Sequence, residues 1–221
     1  DSLCVVTSRA PLIDLVAYMT FRQHDVTRLS AADGRALLRA VGVKGDDAAL
    51  SRIVERWDGH ALTLSLIGGV LRDLHGGDAA QIDAVPAPTA DESRYERVKR
   101  VLRRYDEHLS EAERAFLTIF SAFRRPVRKE AFKRVFRAAI NGEGQEVMPI
   151  GMTKLVKNLL QKRLISLITD KHGSEMFTAH PLVRAHYAGL LIGRADAKRI
   201  HYQIADYYEA NLLDPVPPRP L

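Results

Sequence analysis

The sequence predicts a mainly α fold: a helical bundle, then a second helical unit that closes on a β-hairpin, with one short remnant strand at the N-terminus. Three observations carry this. Between residues 30 and 75, three apolar-periodic stretches are separated by Gly42 and Gly59 and ended by Gly76-Gly77. The stretch AVPAPTADES (84–93), rich in Pro, Ala and acidic residues, divides the chain. Beyond it, three further helical stretches precede two short runs joined by Asp170-Lys171-His172-Gly173, giving the order helix, helix, helix, hairpin.

Leu3-Cys4-Val5-Val6 reads as a buried strand that ends at Thr7-Ser8-Arg9, with Cys4 as a small buried hydrophobe. Pro11 to Met19 predicts a short helix and Phe21 to Leu29 an extended segment. Ser30 has the chemistry of an N-cap, with Leu37, Leu38 and Val41 on one face and Gly42 as the stop. Asp46 or Asp47 caps the next helix, which carries Leu50, Ile53, Val54 and Trp57 at helical spacing. A third, from Ala61 to Leu74, is apolar almost all round, as a helix at the centre of a bundle must be.

After the division, Arg94 to Tyr105 is a charged amphipathic helix. Ser110-x-x-Glu113 has capping-box form ahead of Phe116, Leu117, Ile119 and Phe120. Lys129 to Phe136 and Met152 to Lys162 are the next two helices, with residues 141–149 as a loop between them. Arg163 to Ile168 and Ser174 to Phe177 form the hairpin strands. This is the arrangement of a winged helix. Pro181 starts a helix to about Leu191, Ala195 to Asn211 is a last one, and DPVPPRP is an extended tail.

The composition is that of a globular protein. A net charge of +6 permits anion or nucleic-acid binding without demanding it. The single Cys excludes a disulfide framework and fits a reducing, cytoplasmic setting. No apolar stretch is long enough to span a bilayer as a helix, so no membrane partner is expected. His172, His180, His186 and His201 lack metal-ligand spacing, and no Gly-x-Ser-x-Gly nucleophile motif occurs.

Three motifs in order, TSR after an apolar strand, WDGHALTLSLIGGVL after two helices, and FTAHPLVRAHY after the hairpin, span nearly the whole chain. In that order they resemble the later part of the NB-ARC module of STAND-class NTPases. That family includes plant resistance proteins, apoptosome scaffolds and many bacterial multidomain sensors. The resemblance implies a C-terminal piece of a nucleotide-binding α/β core at 1–29 and a helical bundle at 30–83. A linker at 84–93 and a winged-helix domain at 94–193 follow. Residues 194–221 would be a helix and linker towards a repeat array; Tyr202, Ala205, Tyr207 and Tyr208 are similar to the start of a tetratricopeptide-like helix.

The resemblance also implies a nucleotide site for ADP or ATP, with magnesium in the full-length parent. Thr7, Ser8 and Arg9 match the family's sensor-1 position, where an Arg reads the terminal phosphate. A guanidinium suits this, being a planar fork that stays charged. Gly59, His60, Ala61 and Leu62 match the GxP segment near adenine, although Ala61 stands where the family has Pro. His180 matches the His of the Met-His-Asp motif that holds bound ADP, with Pro181 in place of the Asp. No Gly-x-x-x-x-Gly-Lys-Ser/Thr occurs, so the chain alone should not hydrolyse ATP. The implied role is a regulatory switch that closes over nucleotide and controls oligomerisation and effector activation. Its partners would be an upstream P-loop core, a downstream repeat domain, and further copies of itself on activation.

A rival reading stays open: a DNA-binding winged-helix regulator. Its recognition helix would be Met152 to Lys162, exposing Lys154, Lys157, Gln161 and Lys162. Arg124-Arg125, Arg128-Lys129 and Lys133-Arg134 would add a basic edge.

Overall fold

The computed structural model describes residues 3–8, 10, 12–24, 26, 28–89, 91–140, 149–170 and 173–212. The expected N-terminal strand does not form: residues 3–8 have no regular structure, and Leu3 and Val6 are 90% and 57% exposed. Cys4 is exposed rather than buried. The reason is physical. A strand's backbone groups need a neighbouring strand, and its apolar face needs a layer to cover it. Neither lies beside this segment among the described residues. The helix expected from Pro11 to Met19 is reduced to one 3-10 turn at Ile13–Leu15, and Pro11 itself lies outside the described residues.

The bundle follows the sequence closely. Helix α1 (Ala31–Val41) starts at Ser30, whose hydroxyl accepts the Asp33 N–H at 3.1 Å, and stops at left-handed Gly42. Helix α2 (Asp47–Arg56) is capped by Asp46, which accepts the Ala49 N–H at 2.7 Å. Helix α3 (Ala61–His75) runs through the middle, with Leu64, Leu66, Ile67, Val70 and Leu71 fully buried. Leu38 of α1, Leu50 and Ile53 of α2, and Trp57 at its end are fully buried in the same core. A 3-10 turn (Ala79–Ala84) leads to Val85, which is fully buried in the same core.

The second unit comprises α4 (Arg94–Asp106), α5 (Glu111–Phe120), α6 (Lys129–Ile140), α7 (Pro149–Gln161), β1 (Ser166–Thr169), β2 (Glu175–Thr178), α8 (Pro181–Ile192) and α9 (Ala197–Leu212). Strands β1 and β2 pair antiparallel, with Leu167 opposite Phe177, and Val127 makes one further antiparallel bridge to Phe177. An aromatic cluster joins these pieces: Phe116 stacks on Phe136 at 4.5 Å, and Phe132 meets Phe177 at 5.1 Å. The architecture is mainly helical with one small two-stranded sheet, consistent with a helical bundle followed by a winged-helix domain. The loop expected at 141–149 lies outside the described residues up to 148, as do His172 and the tail beyond 212.

The end of α7 explains why β1 starts three residues later than the sequence predicts. Arg163 is left-handed (φ +58°). Its N–H donates to the Leu160 carbonyl at 3.0 Å, and the Leu164 N–H donates to the Leu159 carbonyl at 3.1 Å. This is a Schellman stop, with buried Leu159 and Leu164 as its apolar contact. Just before it, Lys162 donates to Glu113 Oε1 at 2.7 Å. The other Glu113 oxygen closes the capping box of α5, accepting the Ser110 N–H at 2.9 Å. The expectation that Lys162 is exposed is therefore corrected: it is half-buried and committed to a buried carboxylate.

Burial alone would raise the Glu113 carboxyl; the Lys162 ammonium and the Ser110 donors outweigh it and hold the group below its usual range. Its stabilising contribution is thus complete above the unfolded glutamate value of about 4.3 and is lost as pH falls through the lower folded value. Glu113→Gln is expected to lower stability at neutral pH by roughly 1–3 kcal/mol and to flatten this acid loss. Denaturant midpoints measured from pH 7 down to 3 check it; an unaltered pH slope in the variant contradicts the assignment.

Candidate functional site

The start of α3 is built by a tight reversal. Asp58 and Gly59 are both left-handed (φ +61° and +59°). A Cβ on Gly59 would lie 2.5 Å from the Leu29 carbonyl oxygen, while the Leu29 N–H donates to the Gly59 carbonyl at 2.9 Å. Glycine is required here on both counts. Asp58 carries ion pairs to Arg28 and, at 3.4 Å, to Arg97 on α4. His60 is the N-cap of α3: its Nδ1 accepts the Thr63 N–H at 3.4 Å and lies 2.6 Å from the Thr63 hydroxyl.

Along α3, positions 62, 65, 69 and 72 share one face. Gly69 on this face lets α4 come close: a Cβ there would lie 2.0 Å from the Tyr105 hydroxyl. Tyr105 is buried and donates to the Lys162 carbonyl at 3.3 Å. Burial pushes its phenol well above the usual range, so it stays a neutral donor. One helical turn on, Arg72 Nη2 donates to the Gln161 carbonyl at 2.7 Å while Nε pairs with Asp73 at 2.7 Å. Two of the last carbonyls of α7 thus receive side-chain donors from α3 and α4.

Beside this junction lies a groove of about 520 Å³. Leu62, Ser65 and Arg72 of α3 form one wall; Leu160, Gln161, Arg163 and Ile165, with Ser166 and Leu167 of β1, form the other. His180 closes the end. It is the N-cap of α8, its Nδ1 accepting the Leu182 N–H at 3.2 Å, which assigns the proton to Nε2 in the neutral ring. Pro181 follows at the first helical position, where its missing N–H costs nothing.

The structure therefore brings two of the sequence-predicted residues, Leu62 and His180, into one groove. Gly59, His60 and Ala61 shape the helix start that presents Leu62. Thr7 and Ser8 stand on the exposed N-terminal segment, away from any pairing strand, and Arg9 lies outside the described residues. Arg72, Arg163 and Ser65 were not singled out by sequence. Arg72 reads as an ordinary basic residue in a last helical turn, and Arg163 occupies a place where pattern rules expect Gly. Of the residues named for DNA contact, Arg124, Arg125, Lys129, Lys154, Lys157 and Gln161 are exposed, but Lys162 is held by Glu113 and Arg128 faces Asp170 at 3.5 Å. The side chains of Lys133 and Arg134 lie outside the described residues. His186 is bound to Asp106 at 2.7 Å, sharing that carboxylate with the Tyr187 hydroxyl. Ile200, Ile204 and Tyr207 of α9 are buried, whereas Tyr202 is exposed. No helix among the described residues is long and apolar enough to cross a membrane.

No protein-family model matches the chain, and no curated protein sequence does. Among solved structures, it is similar to a Signal Transduction ATPase with Numerous Domains (STAND) protein with a tetratricopeptide repeat sensor from Pyrococcus horikoshii. The TM-score is 0.53 at 17% identity, over 84% of this chain. The chain spans 23% of that protein's length. A Walker-type ATPase of Pyrococcus abyssi matches 72% of this chain and 40% of its own at 17% identity, with a TM-score of 0.31, too remote to carry weight. The first likeness shows a shared fold.

Gly69→Ala tests the close packing at the junction. It is expected to destabilise the chain by roughly 1–3 kcal/mol, because buried Tyr105 cannot move aside freely. Adding Tyr105→Phe should recover part of the loss. Thermal unfolding of the single and double variants reads this out, and an unperturbed Gly69→Ala midpoint contradicts it.

Proposed function

We propose that this chain is the regulatory portion of a STAND-type signal-transduction NTPase, closing over ADP or ATP and controlling nucleotide-dependent self-association. One observation carries the reading most. Leu62 at the start of α3 and His180 at the start of α8 were each expected at a nucleotide on sequence grounds alone. They are distant in sequence and from different units, yet they line the same groove. The fold shared with a STAND protein supports it.

In this reading the nucleotide lies at the junction of the bundle and the winged helix. It favours one arrangement of the two units over another through unequal contacts, and so shifts their populations. His180 favours the ADP-bound arrangement. Arg9 would report the terminal phosphate once a P-loop core is beside the N-terminal segment. That core supplies the phosphate-binding loop and the magnesium site; the exposed Leu3, Val5 and Val6 suit pairing with its strands. Repeats beyond α9 would sense the signal, as a tetratricopeptide sensor does in the STAND protein of similar fold. Chemistry on ATP, exchange or hydrolysis, belongs to that core.

The DNA-binding reading is weakened where Lys162 of its recognition helix is held by Glu113 and Arg128 faces Asp170, while Arg124, Arg125, Lys129, Lys154 and Lys157 are exposed. Duplex DNA binding at physiological salt, with affinity falling steeply as salt rises, would restore it.

In the intact protein, His180→Ala is expected to raise basal assembly several-fold and to shorten ADP retention. Light scattering and release of a fluorescent ADP measure these. Unchanged assembly together with unchanged ADP retention contradicts the proposal.

A further inference from the structure

The groove is lined by three side chains able to carry positive charge, Arg72, Arg163 and His180, and by no carboxylate. Their situations differ. Arg72 is committed to Asp73 and to the Gln161 carbonyl. His180 caps α8 through Nδ1. Arg163 is exposed, and among the described residues its guanidinium takes part in none of the hydrogen bonds or ion pairs.

The backbone at Arg163 makes this notable. It sits at the left-handed position of the Schellman stop, φ +58°, where glycine is the usual occupant and any side chain adds backbone strain. The fold would be served as well by glycine there. A side chain is present despite that backbone strain, and it lines a groove that has no carboxylate in its lining.

We infer that Arg163 reads the phosphates of the groove's ligand, and that the ligand is a di- or triphosphate. This rests on the nucleotide reading of the same groove. A guanidinium offers paired donors that match phosphate oxygens, and the Ser65 and Ser166 hydroxyls stand on opposite walls as further donors. A volume of about 520 Å³ exceeds what a single small anion fills. Leu62 on one wall and Leu160 and Leu167 on the other supply apolar surface between which a nucleoside can lie. Such a ligand touches α3 on one side and α7, β1 and α8 on the other, so binding and the junction between the units are linked. No bond is made or broken in this role: Arg163 binds and positions.

The test is calorimetric titration of the 221-residue chain, free of inorganic phosphate, with pyrophosphate, tripolyphosphate, ADP and adenosine. Arg163→Gln is expected to weaken the three phosphate-bearing ligands about tenfold, the loss of one charge-assisted contact, and to leave adenosine unaffected. Arg163→Gly should weaken them equally while raising the unfolding midpoint by about 2 °C, since it relieves the left-handed strain. If ADP binds the wild type and both variants alike, the role of Arg163 is overturned while the nucleotide reading stands. If pyrophosphate binding depends on Arg163 but ADP binds no tighter than pyrophosphate, the anion role stands and the nucleotide reading falls. Absence of binding by every phosphate-bearing ligand overturns the role of Arg163, whereas the nucleotide reading is decided by the His180→Ala experiment in the intact protein.

Discussion

A helix that ends inside a protein leaves its final carbonyls without partners, and each must be met by a donor from elsewhere. At the end of α7 this requirement ties the molecule together. The Gln161 carbonyl is met by Arg72 from α3, the Lys162 carbonyl by Tyr105 from α4, and the Lys162 ammonium by Glu113 from the start of α5. Three helices, drawn from both units, converge on two consecutive residues at the end of α7. Gly69 is what lets the arrangement close, since any side chain there would occupy the space of the Tyr105 hydroxyl.

The groove is a consequence of that convergence. Holding the end of α7 against α3 fixes the distance between the Leu62–Arg72 face and the first residues of β1. The hairpin then returns the chain to His180, which caps α8 and lines the groove. A ligand seated there is in contact with both units beside hydrogen bonds that join them. Differential binding at such a seam is the simplest way for a small molecule to bias two domain arrangements.

Local features were legible in the sequence. Ser30, the Asp46-Asp47 pair and Ser110 announce helix starts because capping is decided within four residues, and the caps present are Ser30, Asp46 and Ser110. Helix α3 was recognisable from its continuous apolar content, and the hairpin from its turn. Features set by distant partners were not legible. Leu3 to Val6 has the composition of a buried strand, but burial needs a neighbour, and the segment is exposed. Lys162 looked like one more surface lysine because nothing near it in sequence reveals Glu113. Of the groove's lining, motif matching names Leu62 and His180, whereas Arg72 and Arg163 join it only once α3 and α7 are brought together.

A nucleotide seated at the seam between α3, α7 and α8 would protect the backbone on both of its sides. Amide hydrogen exchange of the chain with and without ADP tests it most directly. The account predicts simultaneous slowing of exchange at 60–65, 162–167 and 180–184, with little change in the exposed N-terminal segment or the end of α9. ADP binding that leaves these three segments unprotected, or protects only one face of the seam, would contradict it.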